Sequence, residues 1–247
     1  MNRRVGTVSR QLLAEFVGSA LLVTVVVGSG IAAARLSPND VGLQLLENAI
    51  ATALGLAVLI LLFGPVSGAH FNPVVSLVDW LIGRHAKTGL EVKAVVAYSF
   101  AQIAGGIVGA VLANVMYDIA PLQISTKDRT TGGHLISEVV ATAGLIAVIF
   151  VLARTGRAAL SAVAVGAYIG AAYWFTSSTS FANPAVTVGR VFSDTFAGIA
   201  PGSAPGFIAA QVVGALVGLG LVVVLYPDAA QAADQAVVPH EKAESQR

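Results

Sequence analysis

Two Asn-Pro pairs are the residues of this chain whose chemistry and spacing are most informative. Asn72-Pro73-Val74 and Asn183-Pro184-Ala185 each follow a polar loop and begin a short apolar segment. Proline is favourable in the first turn of a helix because its missing N–H has no partner there, and asparagine is a good N-cap. Each pair therefore predicts the start of a short helix. Its N-terminus and the asparagine amide offer N–H donors and positive potential without a fixed charge.

The elements that must position these pairs cross a membrane. The chain has 247 residues, of which 56% are hydrophobic and only 11% are charged, outside the range of soluble proteins. The apolar residues fall in blocks near the length of about 20 residues that a spanning helix needs. We predict six spans, over residues 12–34, 47–63, 92–116, 135–153, 160–175 and 206–226.

Two further apolar segments, residues 64–82 and 176–197, do not fit as spans. Each follows a span closely, is polar at its beginning and then becomes apolar for a short stretch. Irregular backbone at membrane depth is tolerated where it lines a cavity. Both segments therefore predict a re-entrant loop followed by a half-helix, with the Asn-Pro pair at the junction.

The chain also contains an internal repeat. Glu15, Asn72 and Gln102 in the first half match Glu138, Asn183 and Gln211 in the second, in the same order. Each half has three spans, an odd number, so the halves must be inverted and the two loops must meet from opposite faces. The predicted fold class is an all-α membrane protein with six transmembrane helices and two re-entrant half-helices in two inverted repeats.

We expect one channel domain over residues 1–229, with repeats at about 10–116 and 134–226, followed by a disordered polar tail over 230–247. Six spans put both termini on one side. Ten of the 14 Lys and Arg residues fall on that side. Positive charge favours the cytoplasmic side, so both termini are predicted to be cytoplasmic.

Several kinds of chemistry are not indicated. The chain has no cysteine, and its four histidines are scattered, so no metal site is expected. No nucleophile–base set or cofactor motif is present, so neither enzyme activity nor a cofactor is predicted. A net charge of +1 gives no indication of nucleic-acid binding. His70, two residues before Asn72, is a candidate pore-lining residue rather than a ligand.

The loop chemistry favours passive conduction of small neutral solutes across the lipid bilayer. Uncharged hydroxylated molecules can accept hydrogen bonds from the two asparagines, whereas the positive ends of the half-helices repel cations. A secondary transporter is the second hypothesis, because transporters also have inverted repeats and broken helices. It is disfavoured because the chain is short and lacks a mid-membrane set of Asp, Arg and Lys. A non-conducting structural protein is the third hypothesis.

At these residues the chain resembles the major intrinsic protein family, the aquaporins and aquaglyceroporins, over about residues 10–226. The first loop, residues 67–74 (SGAHFNPV), is very similar to the family pattern, with Val74 in place of the usual Ala. The resemblance implies a right-handed helical bundle that forms a homotetramer with one pore per subunit. It also implies a bracing role for four side chains that bond the loops: Glu15, Glu138, Gln102 and Gln211.

One departure from the family concerns its selectivity filter. The family has Arg after the second Asn-Pro-Ala, where this chain has Val186. Counted as in the family, the other filter positions are Thr52, Ala171 and Ser180. The set lacks a large aromatic, His and Arg, which implies a wide and weakly polar filter. Arg190, one helical turn after Val186, is expected to be solvated or lipid-facing, the alternative being a displaced charge at the outer mouth.

Residues 173–187 and 194–198 resemble a subgroup of the family encoded in bacterial arsenic-resistance loci. That resemblance implies a location in the bacterial inner (plasma) membrane and passage of arsenite and antimonite, together with glycerol and water. The alternative is a water-selective or general small-polyol facilitator with no role in metalloid transport.

Overall fold

The computed structural model describes residues 2–84 and 88–227. The regular elements in this part of the chain are all helical. They are α1 (Asn2–Leu36), α2 (Val41–Ser67), α3 (Pro73–Gly83), α4 (Val92–Met116), α5 (Gly132–Arg154), α6 (Ser161–Phe175, after a 3-10 turn at Ala158–Leu160), α7 (Pro184–Arg190) and α8 (Ala204–Leu225). The six helices other than α3 and α7 are long and apolar enough to cross a membrane. This agrees with the predicted architecture, while the tail expected over 230–247 lies outside the described residues.

Helix α2 is longer at both ends than the span predicted over 47–63. It begins earlier because Asp40 caps it, accepting a hydrogen bond from the backbone N–H of Leu43 at 2.8 Å. It also continues through Pro65, close to its C-terminus, and ends at Gly68, whose φ is 88°. The first re-entrant loop is therefore shorter than expected and occupies only the residues between Ser67 and Pro73.

The two short helices begin at the Asn-Pro pairs, as the sequence predicts. The Oδ1 atom of Asn72 accepts from the N–H of Val74 at 3.1 Å. In the second loop, Oδ1 of Asn183 accepts from the N–H of Ala185 at 2.9 Å and from that of Val186 at 3.3 Å. Each asparagine carbonyl oxygen is thus used for capping, which fixes where its amide nitrogen can point.

Glycines allow the closest helix contacts in both halves. In the first half α1 packs on α4, and Gly109 of α4 lies against the backbone of Ala20. In the second half α5 packs on α8, and Gly218 of α8 lies against the backbone of Ala143. Small residues let helix backbones approach closely in membranes, where the hydrophobic effect does not drive helix association. The same glycine-mediated helix contact in both halves supports the inverted repeat.

The outer surfaces of the bundle are strongly apolar. Large aliphatic and aromatic side chains are exposed on several helices, including Leu54, Val58, Leu61 and Leu62 of α2 and Phe100 of α4. Continuous exposed apolar surface of this extent is unsuited to water and fits contact with lipid tails or with other membrane-embedded surfaces. The polar groups that carry the site lie inside the bundle.

A glycine substitution tests the packing of α1 on α4. A Cβ at position 109 would overlap the carbonyl oxygen of Ala20, so Gly109→Ala is expected to destabilise the protein by about 1–3 kcal/mol. Gly220→Ala is the control, because a Cβ at position 220 meets nothing within 4 Å. Thermal unfolding in detergent is the measurement, and equal midpoints for the two variants would contradict this packing.

Candidate functional site

A central cavity lies between the helices and against both re-entrant loops. One wall is aliphatic, with side chains from α1, α2, α5 and α6. The other wall is polar and comes mainly from the loops and half-helices. Its polar side chains are Thr52, His70, Asn72, Tyr173, Ser180, Asn183 and Arg190. The cavity lining therefore offers a solute both hydrocarbon and hydrogen-bonding groups.

The two asparagines meet at this cavity and tie the loops to each other. The Nδ2 atom of Asn72 donates to the carbonyl oxygen of Ala182 at 2.8 Å, and Nδ2 of Asn183 donates to the carbonyl oxygen of Phe71 at 2.8 Å. A carboxamide nitrogen carries two hydrogens. Each asparagine therefore keeps one N–H for a molecule in the cavity, while its other groups hold the loops in register.

Both loops have the same unusual backbone. The third and first residues before each asparagine have left-handed φ values: 50° at Ala69 and Phe71, and 49° and 48° at Ser180 and Ala182. Such values are uncommon for residues with a Cβ and carry a conformational cost. Something in each half must therefore stabilise the loop in this conformation.

In the first half that group is the buried carboxylate of Glu15, on α1. It accepts from the backbone N–H groups of His70 at 3.0 Å and Phe71 at 2.7 Å, and from the hydroxyl of Ser67 at 2.6 Å. The amide Nε2 of Gln102, on α4, is a fourth donor at 2.7 Å. Four hydrogen bonds satisfy the charge inside the membrane and fix the loop that carries Asn72.

The second half repeats this arrangement around Glu138, on α5. Its carboxylate accepts from the N–H groups of Phe181 at 2.9 Å and Ala182 at 2.8 Å, and from the hydroxyl of Ser178 at 2.6 Å. Nε2 of Gln211, on α8, donates at 2.7 Å. The four side chains expected to brace the loops therefore all bond to them or to each other.

The outer part of the cavity differs from the expected filter. Thr52, Ser180 and Val186 line the cavity, whereas Ala171 is exposed and is not among the lining residues. Tyr173 lines the cavity instead, and its hydroxyl donates to Oγ1 of Thr52 at 3.2 Å. Helix phase explains why Tyr173 and not Ala171 lines the cavity, because the cavity-lining residues of α6 are four apart, at Val165, Ile169 and Tyr173.

Arg190 also corrects an expectation. The residue was expected to be solvated or lipid-facing, but it is only 2% exposed and lines the cavity. Its Nε donates to the carbonyl oxygen of Ala197, and its guanidinium carbon lies 3.4 Å from the ring centre of Phe181. The outer part of the cavity therefore contains a guanidinium and the rings of Phe181 and Tyr173, contrary to the expected absence of Arg and aromatic residues.

Two more cations lie in the segment between α4 and α5. Desolvation against Phe196, followed by repulsion from Arg129 and Arg190, lowers the pKa of Lys127 to about 8. Burial lowers the pKa of Arg129 to about 10, an effect that the Tyr173 hydroxyl and the Glu138 carboxylate oppose. Both groups remain mainly protonated at pH 7.

The carboxyl of Asp128, in the same segment, is stabilised as an anion. It accepts a hydrogen bond from the hydroxyl of Ser203 at 2.7 Å and another from the backbone N–H of Thr130 at 2.9 Å. These bonds, that from Ser203 first, hold the pKa of Asp128 below its ordinary value. They tie the segment to the turn before α8, which fixes the neighbouring cations in place.

The remaining expected residues lie around the loops. His70 lines the cavity, with its Nδ1 atom 3.0 Å from the hydroxyl of Ser76. Val74 and Ala185, which complete the two Asn-Pro motifs, are buried in the first turns of α3 and α7. Over residues 2–84 and 88–227, no group of three or more His, Cys, Asp and Glu residues could hold a metal ion.

Six spanning helices and two half-helices that meet at a partly polar internal cavity define a membrane channel. The chain belongs to the major intrinsic protein family, whose model matches residues 2–180. The X-ray structure of the aquaglyceroporin from Plasmodium falciparum has the same fold: its TM-score is 0.66 at 21% sequence identity, covering 91% of this chain and 100% of that one.

Two bacterial relatives match most of the chain. The aquaglyceroporin AqpS of Rhizobium meliloti (strain 1021) is 50% identical over 213 residues, covering 86% of this chain and 88% of the relative. The glycerol uptake facilitator protein of Pseudomonas aeruginosa PAO1 is 31% identical over 222 residues, covering 77% of this chain and 76% of that relative.

The importance of the buried carboxylates can be tested with Glu138→Gln. The substitution replaces one acceptor oxygen with an NH₂ group that faces the N–H donors of the second loop. We expect a loss of about 1–3 kcal/mol of stability and reduced solute flux, because buried donors lose their acceptor. Glu91→Gln is the matched control, since Glu91 is exposed and its side chain makes no capping bond. Unchanged unfolding and flux in Glu138→Gln would contradict the bracing role.

Proposed function

We propose that the protein is an aquaglyceroporin-type channel that passes uncharged hydroxylated solutes of about the size of glycerol, together with water, down their gradients. The observation that supports this most strongly is the pair of asparagine amides at the cavity. Each has one N–H left after bonding the opposite loop. No Asp or Glu is among the described residues that line the cavity. Donors without a lining carboxylate favour neutral oxygen-bearing solutes over cations.

The aliphatic wall supports polyols over ions as solutes. Leu56, Ile60 and Val165 are among its members, and they face the same space as the polar wall. A molecule with a carbon backbone and hydroxyl groups can place its carbon side on the aliphatic wall and its hydroxyls on the polar wall. An ion gains nothing from the aliphatic wall and loses hydration there. The names of the two bacterial relatives agree with a solute of the glycerol class.

We also propose passage of arsenite and antimonite. At neutral pH, arsenite is an uncharged trihydroxide similar to glycerol in size and in its number of hydroxyls. It can therefore accept the same hydrogen bonds from Asn72, Asn183 and the outer residues. Ser180 supports this, because it is one of the hydroxyl-bearing residues that line the cavity.

The proposed assembly is a homotetramer in a bacterial inner (plasma) membrane, with both termini in the cytoplasm and one pore in each subunit. Exposed apolar side chains on the outer surfaces of the helices suit contact with lipid and with other subunits. Residues 1–229 form the single channel domain in this proposal, with inverted repeats at about 10–116 and 134–226.

Solute flux into vesicles tests the proposed function. Stopped-flow measurements on purified protein in liposomes are expected to give glycerol and arsenite uptake well above that of empty vesicles, without saturation at low concentration or dependence on a proton or sodium gradient. Arsenite flux equal to that of empty vesicles would leave a water or polyol facilitator as the function. Dependence on an ion gradient would instead indicate a secondary transporter.

Position 186 tests the solute path. Val186 is 6% exposed and lines the cavity, so Val186→Arg is expected to narrow the path and reduce glycerol flux more than water flux. Val186→Leu is the control that adds bulk without charge and is expected to have a smaller effect. Comparison of water and glycerol permeabilities of both variants is the measurement. Equal loss of the two permeabilities in Val186→Arg would indicate misfolding or a path that avoids this position.

A further inference from the structure

Three cations surround one short stretch of backbone on the outer side of the second loop. Lys127 donates to the carbonyl oxygen of Phe196, Arg129 to those of Gly198 and Phe196, and Arg190 to that of Ala197. Over residues 2–84 and 88–227, none of the three forms an ion pair with a carboxylate, and their mutual repulsion contributes to the lowered pKa of Lys127. The backbone orients these charges without neutralising them.

Arg190 differs from the other two because it lines the cavity. Its guanidinium carbon lies 3.4 Å from the ring centre of Phe181, and its Nε donates to the carbonyl oxygen of Ala197. Its two terminal nitrogens make no hydrogen bond to any described residue. These two nitrogens are not fully enclosed by protein. The residual exposure of this buried residue therefore lies at its donor groups, on the cavity side.

Helix geometry explains how a residue at position 190 reaches the outer part of the cavity. Positions 186 and 190 are four apart and share one face of α7, and side chains on a helix point back toward its N-terminus. The long side chain of Arg190 therefore extends back along this face toward Val186. Valine is short enough to leave space for it, which an arginine at position 186 would occupy.

We propose that Arg190 is the specificity-determining cation of this pore. Held between Phe181 and Ala197, its guanidinium supplies a fixed positive charge that excludes small cations, and its free N–H groups donate to uncharged solutes as they enter. The inference rests on the proposed channel function. It replaces the wide, weakly polar filter expected from the sequence with one whose charge comes from the next helical turn. A fixed charge in a low-dielectric constriction repels cations strongly.

The test is a cation-leak measurement on full-length protein reconstituted in planar bilayers and liposomes. Arg190→Gln is expected to raise potassium conductance at least tenfold over wild type while glycerol flux is retained or increased. Arg129→Gln is the matched control: Arg129 also lies against Phe181, at 5.3 Å, and bonds the same backbone stretch, but it is not among the cavity-lining residues. It is expected to stay impermeable to potassium.

Two further variants separate a charge role from a structural one. The double variant Val186→Arg/Arg190→Gln returns the charge to the position where the family carries it, and is expected to restore cation exclusion. Arg190→Lys carries a charge that is lost at lower pH than that of arginine, because a buried lysine deprotonates more readily. Its potassium conductance is expected to rise with pH relative to wild type. The groups that act on this position, Arg129, Tyr173 and Glu138, are common to both proteins.

Three results would overturn the proposal. One is an Arg190→Gln variant that conducts glycerol and stays as impermeable to potassium as wild type. Another is equal leak in Arg129→Gln. If Arg190→Gln does not fold, an Arg190→Lys variant with the wild-type pH dependence of conductance would overturn it. Lack of arsenite or glycerol flux in the wild-type protein would contradict the proposed function alone, because the leak is measured as an electrical current.

Discussion

The structure depends on two buried carboxylates that each hold a strained loop. Glu15 and Glu138 each accept four hydrogen bonds, two of them from backbone N–H groups beside left-handed residues. A charged group inside a membrane protein is expensive unless it is fully bonded, and each loop supplies the donors that satisfy it. The same hydrogen bonds therefore stabilise the loop conformation and satisfy the carboxylate.

Selectivity follows from what the two loops present and from what surrounds them. The half-helices direct their N-termini toward the cavity, and each asparagine amide bonds the opposite loop with one hydrogen and leaves the other free. The central part of the cavity is therefore polar without a fixed charge. A charge lies on Arg190, where the carbonyl oxygen of Ala197 and the Phe181 ring hold it. We propose that neutral solutes meet hydrogen-bond donors along the polar wall, whereas the charge of Arg190 repels cations.

The main features of the fold could be predicted from sequence because they come from local signals. Apolar length predicts the six spans, Asn-Pro at the end of a polar loop predicts the half-helices, and the matched Glu, Asn and Gln residues predict the inverted repeat.

The lining of the cavity near Val186 is harder to predict from sequence because it depends on helix phase. Counting from the family pattern selected Ala171, but the cavity face of α6 carries Tyr173. The position of Arg190 could not be predicted from the local sequence. It depends on the direction of a long side chain and on its contacts with Phe181 and Ala197, which no sequence pattern indicates. The i, i+4 relation to Val186 was the available signal.

We propose that the two loops held by Glu15 and Glu138 present their free donors to a neutral solute inside one continuous cavity. The most direct test is a high-resolution structure of the protein in lipid nanodiscs with glycerol. We expect ordered glycerol along the polar wall, with hydroxyl oxygens within hydrogen-bond distance of Nδ2 of Asn72, Nδ2 of Asn183 and the terminal nitrogens of Arg190. A cavity filled by protein side chains, or glycerol bound only outside the bundle, would contradict it.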